Sequence, residues 1–158
     1  MFLYSLLALA VVTALIFAAP LKAKVWATLA VVAAGALWAS ATAVGVLAGG
    51  HTVRLWATDV FLFGSDAGSM DPLSALFALI VSVGAVAAVL YSRGYLAHYL
   101  GRKSPTHISL HYTALATMFY AMLGVVTSEG GFSFLFFWEL MTVASFLLIL
   151  FDAERWPT

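Results

Sequence analysis

Five long apolar runs constrain the fold of this chain more than any other feature. They cover residues 2–19, 25–48, 72–91, 109–126 and 132–151. Each has about 18 residues or more, enough for a helix that rises about 1.5 Å per residue to cross the roughly 30 Å hydrocarbon core of a bilayer. The pattern predicts an all-α integral membrane protein with five transmembrane helices in a single membrane domain.

The composition agrees with a membrane protein. Of the 158 residues, 64% are hydrophobic and only 9% are charged, whereas soluble domains carry about 25% charged residues. The sequence contains no cysteine, which excludes disulfides, thiolate metal sites and iron–sulfur clusters within this chain. With a formal net charge of zero and no basic run, we expect the lipid bilayer as a partner and no nucleic acid. We also expect no cofactor and no metal.

The charges of the connections predict an orientation. Connections one and three contain Lys22, Lys24, Arg93, Arg102 and Lys103, whereas connections two and four contain Asp59, Asp66, Asp71 and Glu129 with a single arginine, Arg54. Because basic loops remain cytoplasmic, we expect the N-terminus outside and the C-terminus in the cytoplasm.

The second connection, residues 49–71, is the one long polar stretch. Its imperfect alternation of apolar and polar residues, followed by the turn signal Gly64-Ser-Asp, is compatible with a short external hairpin. An irregular loop with Trp56 at the membrane interface explains the same residues equally well.

Glu139 is the one ionisable residue in the last run, 132–151. It lies about eight positions from one end, or about 12 Å into a helix. A charged side chain at the centre of a membrane helix costs about 2.5–3.5 kcal/mol, so such residues usually serve a function. Glu139 is therefore the candidate proton-handling group, and the alternative is a neutral glutamate that only packs against a neighbouring helix.

Weaker signals surround the other polar residues. His107 and His111 are four apart, as in a metal-binding helical pair, but no matching third ligand is visible. We expect an interfacial cap or a minor proton-relay role for them. Asp71 precedes Pro72 as a helix N-cap would.

Two separated motifs resemble one known family. The stretch Asp71-Pro-Leu-Ser-Ala-Leu-Phe, ending at Tyr91-Ser-Arg-Gly-Tyr-Leu, resembles the third helix of the antiporter-like subunits of respiratory complex I. The stretch Phe134-Leu-Phe-Phe-Trp-Glu-Leu-Met, followed by Ala144-Ser-Phe-Leu-Leu, resembles their fifth helix. The second motif looks most like the membrane subunits of hydrogenase-4 and formate hydrogenlyase. The multisubunit cation/proton antiporters are the second choice.

The resemblance implies a role for Glu139. In this family the matching glutamate pairs with a lysine on a later broken helix, and charge movement between them is thought to couple redox chemistry to proton passage. The resemblance thus implies part of a proton- or cation-translocating subunit of a redox-driven respiratory or hydrogenase complex in the cell inner membrane. Thr142, three positions further on, shares the helix face and could hydrogen-bond the carboxylate or hold a water. His111 is a second supporting candidate.

The chain departs from the family in one respect. None of its seven basic residues lies inside an apolar run, so a buried lysine must come from another chain or segment. We therefore expect a fragment, a truncated product or one half of a split subunit, which works with other membrane subunits. The alternative is a non-conducting structural or assembly protein derived from the same fold.

Overall fold

The computed structural model describes residues 11–21, 23–60, 64–99 and 103–151. Residues 11–18 are helical and form the described part of α1. The later helices are α2 (Lys24–Gly49), α3 (Pro72–Ala97), α4 (Pro105–Thr127) and α5 (Gly131–Leu150), and a β1–β2 pair (Val53–Val60 and Gly64–Met70) lies between α2 and α3. Helices α2 to α5 are each long and apolar enough to cross a membrane. The chain is a multi-pass membrane protein, and the expectations for residues 2–10, Lys22 and Arg102 lie outside the described residues.

Two helices extend beyond the predicted runs. Helix α3 continues past Tyr91 to Ala97, and α4 begins at Pro105 rather than at Ser109. At the start of α4, the Ser104 hydroxyl accepts from the His107 backbone N–H, and Pro105 takes the first position, where its missing N–H costs nothing. Hydropathy alone placed both ends too far inside the helices because the flanking turns are polar.

The connection between α2 and α3 is a two-stranded antiparallel hairpin, so the all-α prediction is wrong for this segment. Val53 pairs with Met70 and Trp56 with Gly68, and the register is irregular between Arg54 and Trp56. A Cβ at Gly68 would overlap the Trp56 indole, so the glycine lets this ring lie against the partner strand. Of the two alternatives for this connection, the structure has the hairpin.

The helices pack closely because small residues line their contacts. Helix α2 packs along α3, α4 packs along α5, and α4 also contacts α2 and α3. Ala39, Ala43 and Ala78 are fully buried, which lets backbones approach one another. At Gly35 a Cβ would overlap the Tyr120 ring, whose hydroxyl donates to the Val31 carbonyl at 2.8 Å.

The two ends of the bundle carry different charges. The end with the hairpin, which we name the hairpin end, carries Asp66, Asp71 and Glu129, whereas the opposite end, the basic end, carries Lys24, Arg93 and Lys103. This separation of charge reflects the charges of the connections between the helices. The orientation with the basic end in the cytoplasm stays a prediction.

Lys24 has a structural role at the basic end. Its side chain is buried, and its Nζ donates to the carbonyls of Ile16 at 2.9 Å and Phe17 at 3.0 Å. Carbonyls in the last turn of a helix lack partners within the helix and attract positive charge. The ammonium group therefore holds the end of α1 against the start of α2.

Candidate functional site: the exposed face of α5

Helix α5 contacts the rest of the described chain along one narrow side. Only Ser133 and Ala144 are buried along its length. On α4, a Cβ at Gly124 would overlap the Phe137 ring of α5, so this glycine allows the close contact between the two helices. The large apolar side chains that face away are Phe134, Leu135, Trp138, Val143, Phe146, Ile149 and Leu150. We name this broad surface the α5 face.

Glu139 lies on the α5 face. It is exposed and follows the first residue of the helix, Gly131, by about 12 Å of helix length. Within the described residues, its carboxylate has neither a hydrogen-bond partner nor an ion pair. At this depth a lipid surrounding would leave a charged group unsolvated at a cost of several kcal/mol. The site can therefore hold a charged carboxylate only if protein groups or water cover the α5 face.

Thr142 lies on the same face but points its hydroxyl proton elsewhere. Its Oγ1 donates to the backbone carbonyl of Trp138 at 3.0 Å, and the side chain is exposed. The single hydroxyl proton is thus not directed at Glu139. The Thr142 oxygen keeps lone pairs that can accept a hydrogen bond from a water or from a covering side chain.

His111 lies at a different place. It is buried in the second turn of α4, with its ring centroid 4.8 Å from that of Phe151 and 6.0 Å from that of Tyr95. Its Nδ1 is buried without a hydrogen-bond partner among the described residues. The ring also lines a cavity of about 270 Å³ together with Tyr95 and Leu148.

The structure does not bring His111 and Glu139 together. Phe151, which contacts His111, follows Glu139 by twelve positions, or about 18 Å of helix. Leu148, which shares the cavity with His111, follows Glu139 by nine positions, which places the two about 180° apart around α5. Any exchange of protons between His111 and Glu139 must therefore pass through intervening groups or water.

The two histidines of α4 do not form a common site. His107 is exposed, and its Nδ1 lies 3.0 Å from the Ser104 hydroxyl at the helix cap, whereas His111 is buried. Within the described residues, no cluster of three or more histidines and carboxylates is placed to hold a metal ion. The N-cap of α4 is Ser104, and the interfacial and relay roles of the two histidines stay predictions.

Sequence reasoning missed the role of Asp66 at the hairpin end. Its carboxylate is 5% exposed and accepts from the Ser133 backbone N–H at 2.9 Å and from the Ser133 hydroxyl at 3.0 Å. The N-cap of α5 is Gly130, which has no side chain to cap the helix. Asp66 supplies the cap from the hairpin, and the one sequence signal was this glycine at a helix start.

A polar cavity of about 490 Å³ adjoins the Asp66 cap. Arg54, Glu129 and Asp66 contribute charged groups to its lining. It opens beside the first turn of α5, so water at the hairpin end can approach this helix start. Glu129 is exposed, and its backbone N–H donates to the Ala67 carbonyl at 2.9 Å.

Comparison with known proteins gives partial similarity. No family model matches the chain. Over 82 residues it is 35% identical to a Staphylococcus saprophyticus protein named putative antiporter subunit mnhA2. Over 86 residues it is 40% identical to a Staphylococcus aureus protein named Na(+)/H(+) antiporter subunit A1. The matches cover 52% and 54% of this chain but only 10% of each relative, so the chain spans about a tenth of the length of these curated relatives.

These relatives bear on the resemblance inferred from the motifs. They confirm a similarity to subunits of cation/proton antiporters, which was the second choice. They do not test the first choice, the membrane subunits of hydrogenase-4 and formate hydrogenlyase.

Proposed function

We propose that this chain is part of a membrane subunit that translocates protons or other cations, and that Glu139 is its proton-handling group. The observation that carries the proposal is an exposed carboxylate on the α5 face, about 12 Å along a helix long enough to cross a membrane and without a partner among the described residues. A group in this position can exchange protons with whatever covers it. The similarity to sodium/proton antiporter subunits supports the same function.

The α5 face needs a covering partner for this function. Lipid tails offer no hydrogen bond or charge to a carboxylate, so we propose that another membrane segment or subunit covers Glu139. A lysine on that segment would complement the charge and set the balance between the protonated and the ionised carboxyl group. Thr142 lies one turn away, and its oxygen can accept a hydrogen bond from a water at the same surface.

The kind of parent complex follows from the same reasoning. The relatives are named as antiporter subunits, which supports a cation/proton-translocating membrane assembly. Its location in the cell inner membrane stays a prediction. Coupling to a respiratory or hydrogenase redox reaction stays a prediction from the motifs around Asp71 and Glu139.

The test compares two variants in the complex that contains this chain. Glu139→Gln keeps the volume and the hydrogen-bonding ability of the side chain but removes its titration. We expect it to lower antiport by at least about a hundredfold, the low end of what a positioned acid–base group contributes. Glu139→Asp should retain part of the activity because it keeps the carboxylate. Antiport is measured in everted membrane vesicles and divided by the amount of assembled complex.

Glu129→Gln is the matched control, since Glu129 is exposed at the hairpin end just before α5. We expect it to leave antiport per complex unchanged. The alternative function, a non-conducting scaffold, predicts normal antiport in the Glu139→Gln variant and defects only in the amount of assembled complex. That result would remove Glu139 from the mechanism.

A further inference from the structure

We infer that Asp66 of the hairpin is a positioning residue for Glu139, because it fixes the start of the helix that carries Glu139. The inference rests on the proposed function, in which Glu139 handles protons. Asp66 itself lies at the hairpin end and does not reach the middle of α5. It acts through the helix.

The contact between Asp66 and α5 is specific in its geometry. Both carboxylate oxygens are used: Oδ2 accepts from the Ser133 N–H at 2.9 Å, and Oδ1 accepts from the Ser133 hydroxyl at 3.0 Å and from the Ala67 N–H at 3.0 Å. A Cβ at Gly130 would overlap Oδ1 of Asp66. The glycine is therefore required for the carboxylate to reach the first turn of α5.

Further backbone contacts connect the same two elements. The Glu129 N–H donates to the Ala67 carbonyl at 2.9 Å, and Ser128 forms a bridge with Gly68 of β2. The Glu129–Ala67 hydrogen bond is part of the Ser128–Gly68 bridge, so the hairpin holds the start of α5 through one buried carboxylate and one backbone bridge. Asp66 contributes the only charged group among these contacts.

Helix α5 packs along α4 over its length, and the hairpin fixes its first turn. Along its length only Ser133 and Ala144 are buried, and Ser133 is the residue that Asp66 binds. Glu139 follows Ser133 by about 9 Å of continuous helix. A rotation or tilt at the first turn would displace the carboxylate, which lies less than two helical turns further along.

Asp71 offers a matched comparison at the same end of the molecule. It is also an aspartate that caps a membrane helix, but its contacts are local to its own helix: the Ser74 side chain, the Leu73 N–H and the Ser74 N–H, which donates to Oδ1 at 2.6 Å. An asparagine can keep the contact with the Ser74 N–H through its one carbonyl oxygen. At Asp66 an asparagine must place its NH₂ group against a donor, because both oxygens accept hydrogen bonds.

The experiment measures antiport per assembled complex as a function of pH in everted vesicles. We expect Asp66→Asn to reduce the maximal rate by about ten- to a hundredfold, as small misplacements of a reacting group do, and to move the pH optimum. Asp71→Asn should keep both the rate and the optimum of the unaltered complex. Gly130→Ala, which displaces the carboxylate without removing any hydrogen-bonding group, should reproduce the shifted optimum.

A purely structural role for Asp66 predicts another pattern. The amount of assembled complex would fall, but the rate per complex and the pH optimum would match those of Asp71→Asn, and this result would overturn the inference. Glu139→Gln is measured in the same vesicles. If it abolishes antiport while Asp66→Asn leaves the optimum in place, only the inference fails. If Glu139→Gln is harmless, the proposed function fails, and the positioning role fails with it.

Discussion

Asp66 and Asp71 show at the scale of single residues why one cap is visible in the sequence and another is not. Asp71 stands directly before Pro72 and three positions before Ser74, so the cap and its helix form one local motif, and the N-cap prediction is confirmed. Asp66 caps a helix that begins far along the chain, at Gly131. Nothing local to Asp66 indicates this partner, because the contact arises from the tertiary arrangement of the hairpin.

The Asp71 cap predicts a pH-dependent contribution to stability. The hydrogen bond from the Ser74 N–H lowers the pKa of the Asp71 carboxyl group in the folded state. The charged carboxylate therefore stabilises the fold above the unfolded pKa of about 3.9, and this contribution is lost as the pH falls through the lower folded pKa. We expect Asp71→Ala to reduce the free energy of unfolding by about 1 kcal/mol at neutral pH, and by less in strong acid.

Denaturant titrations of the detergent-solubilised protein at neutral pH and in strong acid measure this difference. Asp71→Asn is the control, since asparagine caps helices well without a charge. If Asp71→Ala lowers the free energy of unfolding by the same amount at neutral pH and in strong acid, the charge of the carboxylate does not contribute to stability.

At the scale of elements, apolar runs locate helices better than they locate helix ends. The runs 25–48 and 132–151 agree with α2 and α5 within a residue at each end. The predicted end of α3 and the predicted start of α4 were misplaced because Arg93, Ser104 and His107 lower the local hydropathy. The backbone is nevertheless helical at Arg93 and His107, and Ser104 is the N-cap of α4. The pair Ser104-Pro105 carries a start signal for α4 that hydropathy does not register.

The contact between α1 and α2 gives a prediction at this scale. Lys24→Met keeps the aliphatic length but removes the donors to the Ile16 and Phe17 carbonyls. Because carbonyls buried without a donor cost about 1–3 kcal/mol, we expect lower thermal stability and faster proteolysis in the connection 19–23. Lys24→Arg keeps both the charge and the donors and should be nearly neutral. Equal rates of proteolysis in the Lys24→Met and Lys24→Arg variants would show that the Lys24 ammonium group does not hold α1 against α2.

At the scale of the whole molecule, the site could be predicted from the sequence only in part. Glu139 stood out because one carboxylate interrupts an apolar run, and the structure places it on an exposed face together with Thr142. The separation of His111 from Glu139 depends on how α4 and α5 pack. The capping of α5 by the hairpin likewise depends on contacts between distant segments. The pattern of apolar residues within one helix predicts neither the separation of His111 from Glu139 nor the capping of α5.

The orientation of the molecule in the membrane can be tested by labelling residues that the structure shows to be exposed. The charge asymmetry between the connections places the hairpin end outside and the basic end in the cytoplasm. Asp66 is unsuitable as a labelling position because it is buried and caps α5. Ala57 on β1 and His98 after α3 are exposed instead.

The chain has no cysteine, so a single cysteine introduced at either position is the only thiol that this chain contributes. A membrane-impermeant maleimide added to intact cells should label Ala57→Cys, and it should label His98→Cys only after the membrane is permeabilised. Permeabilised cells provide the control for reactivity, since both cysteines must react there. Labelling of His98→Cys in intact cells, with protection of Ala57→Cys, would reverse the orientation. The Asp66 cap would then face the cytoplasm, and Glu139 would lie nearer to the cytoplasmic surface than to the external one.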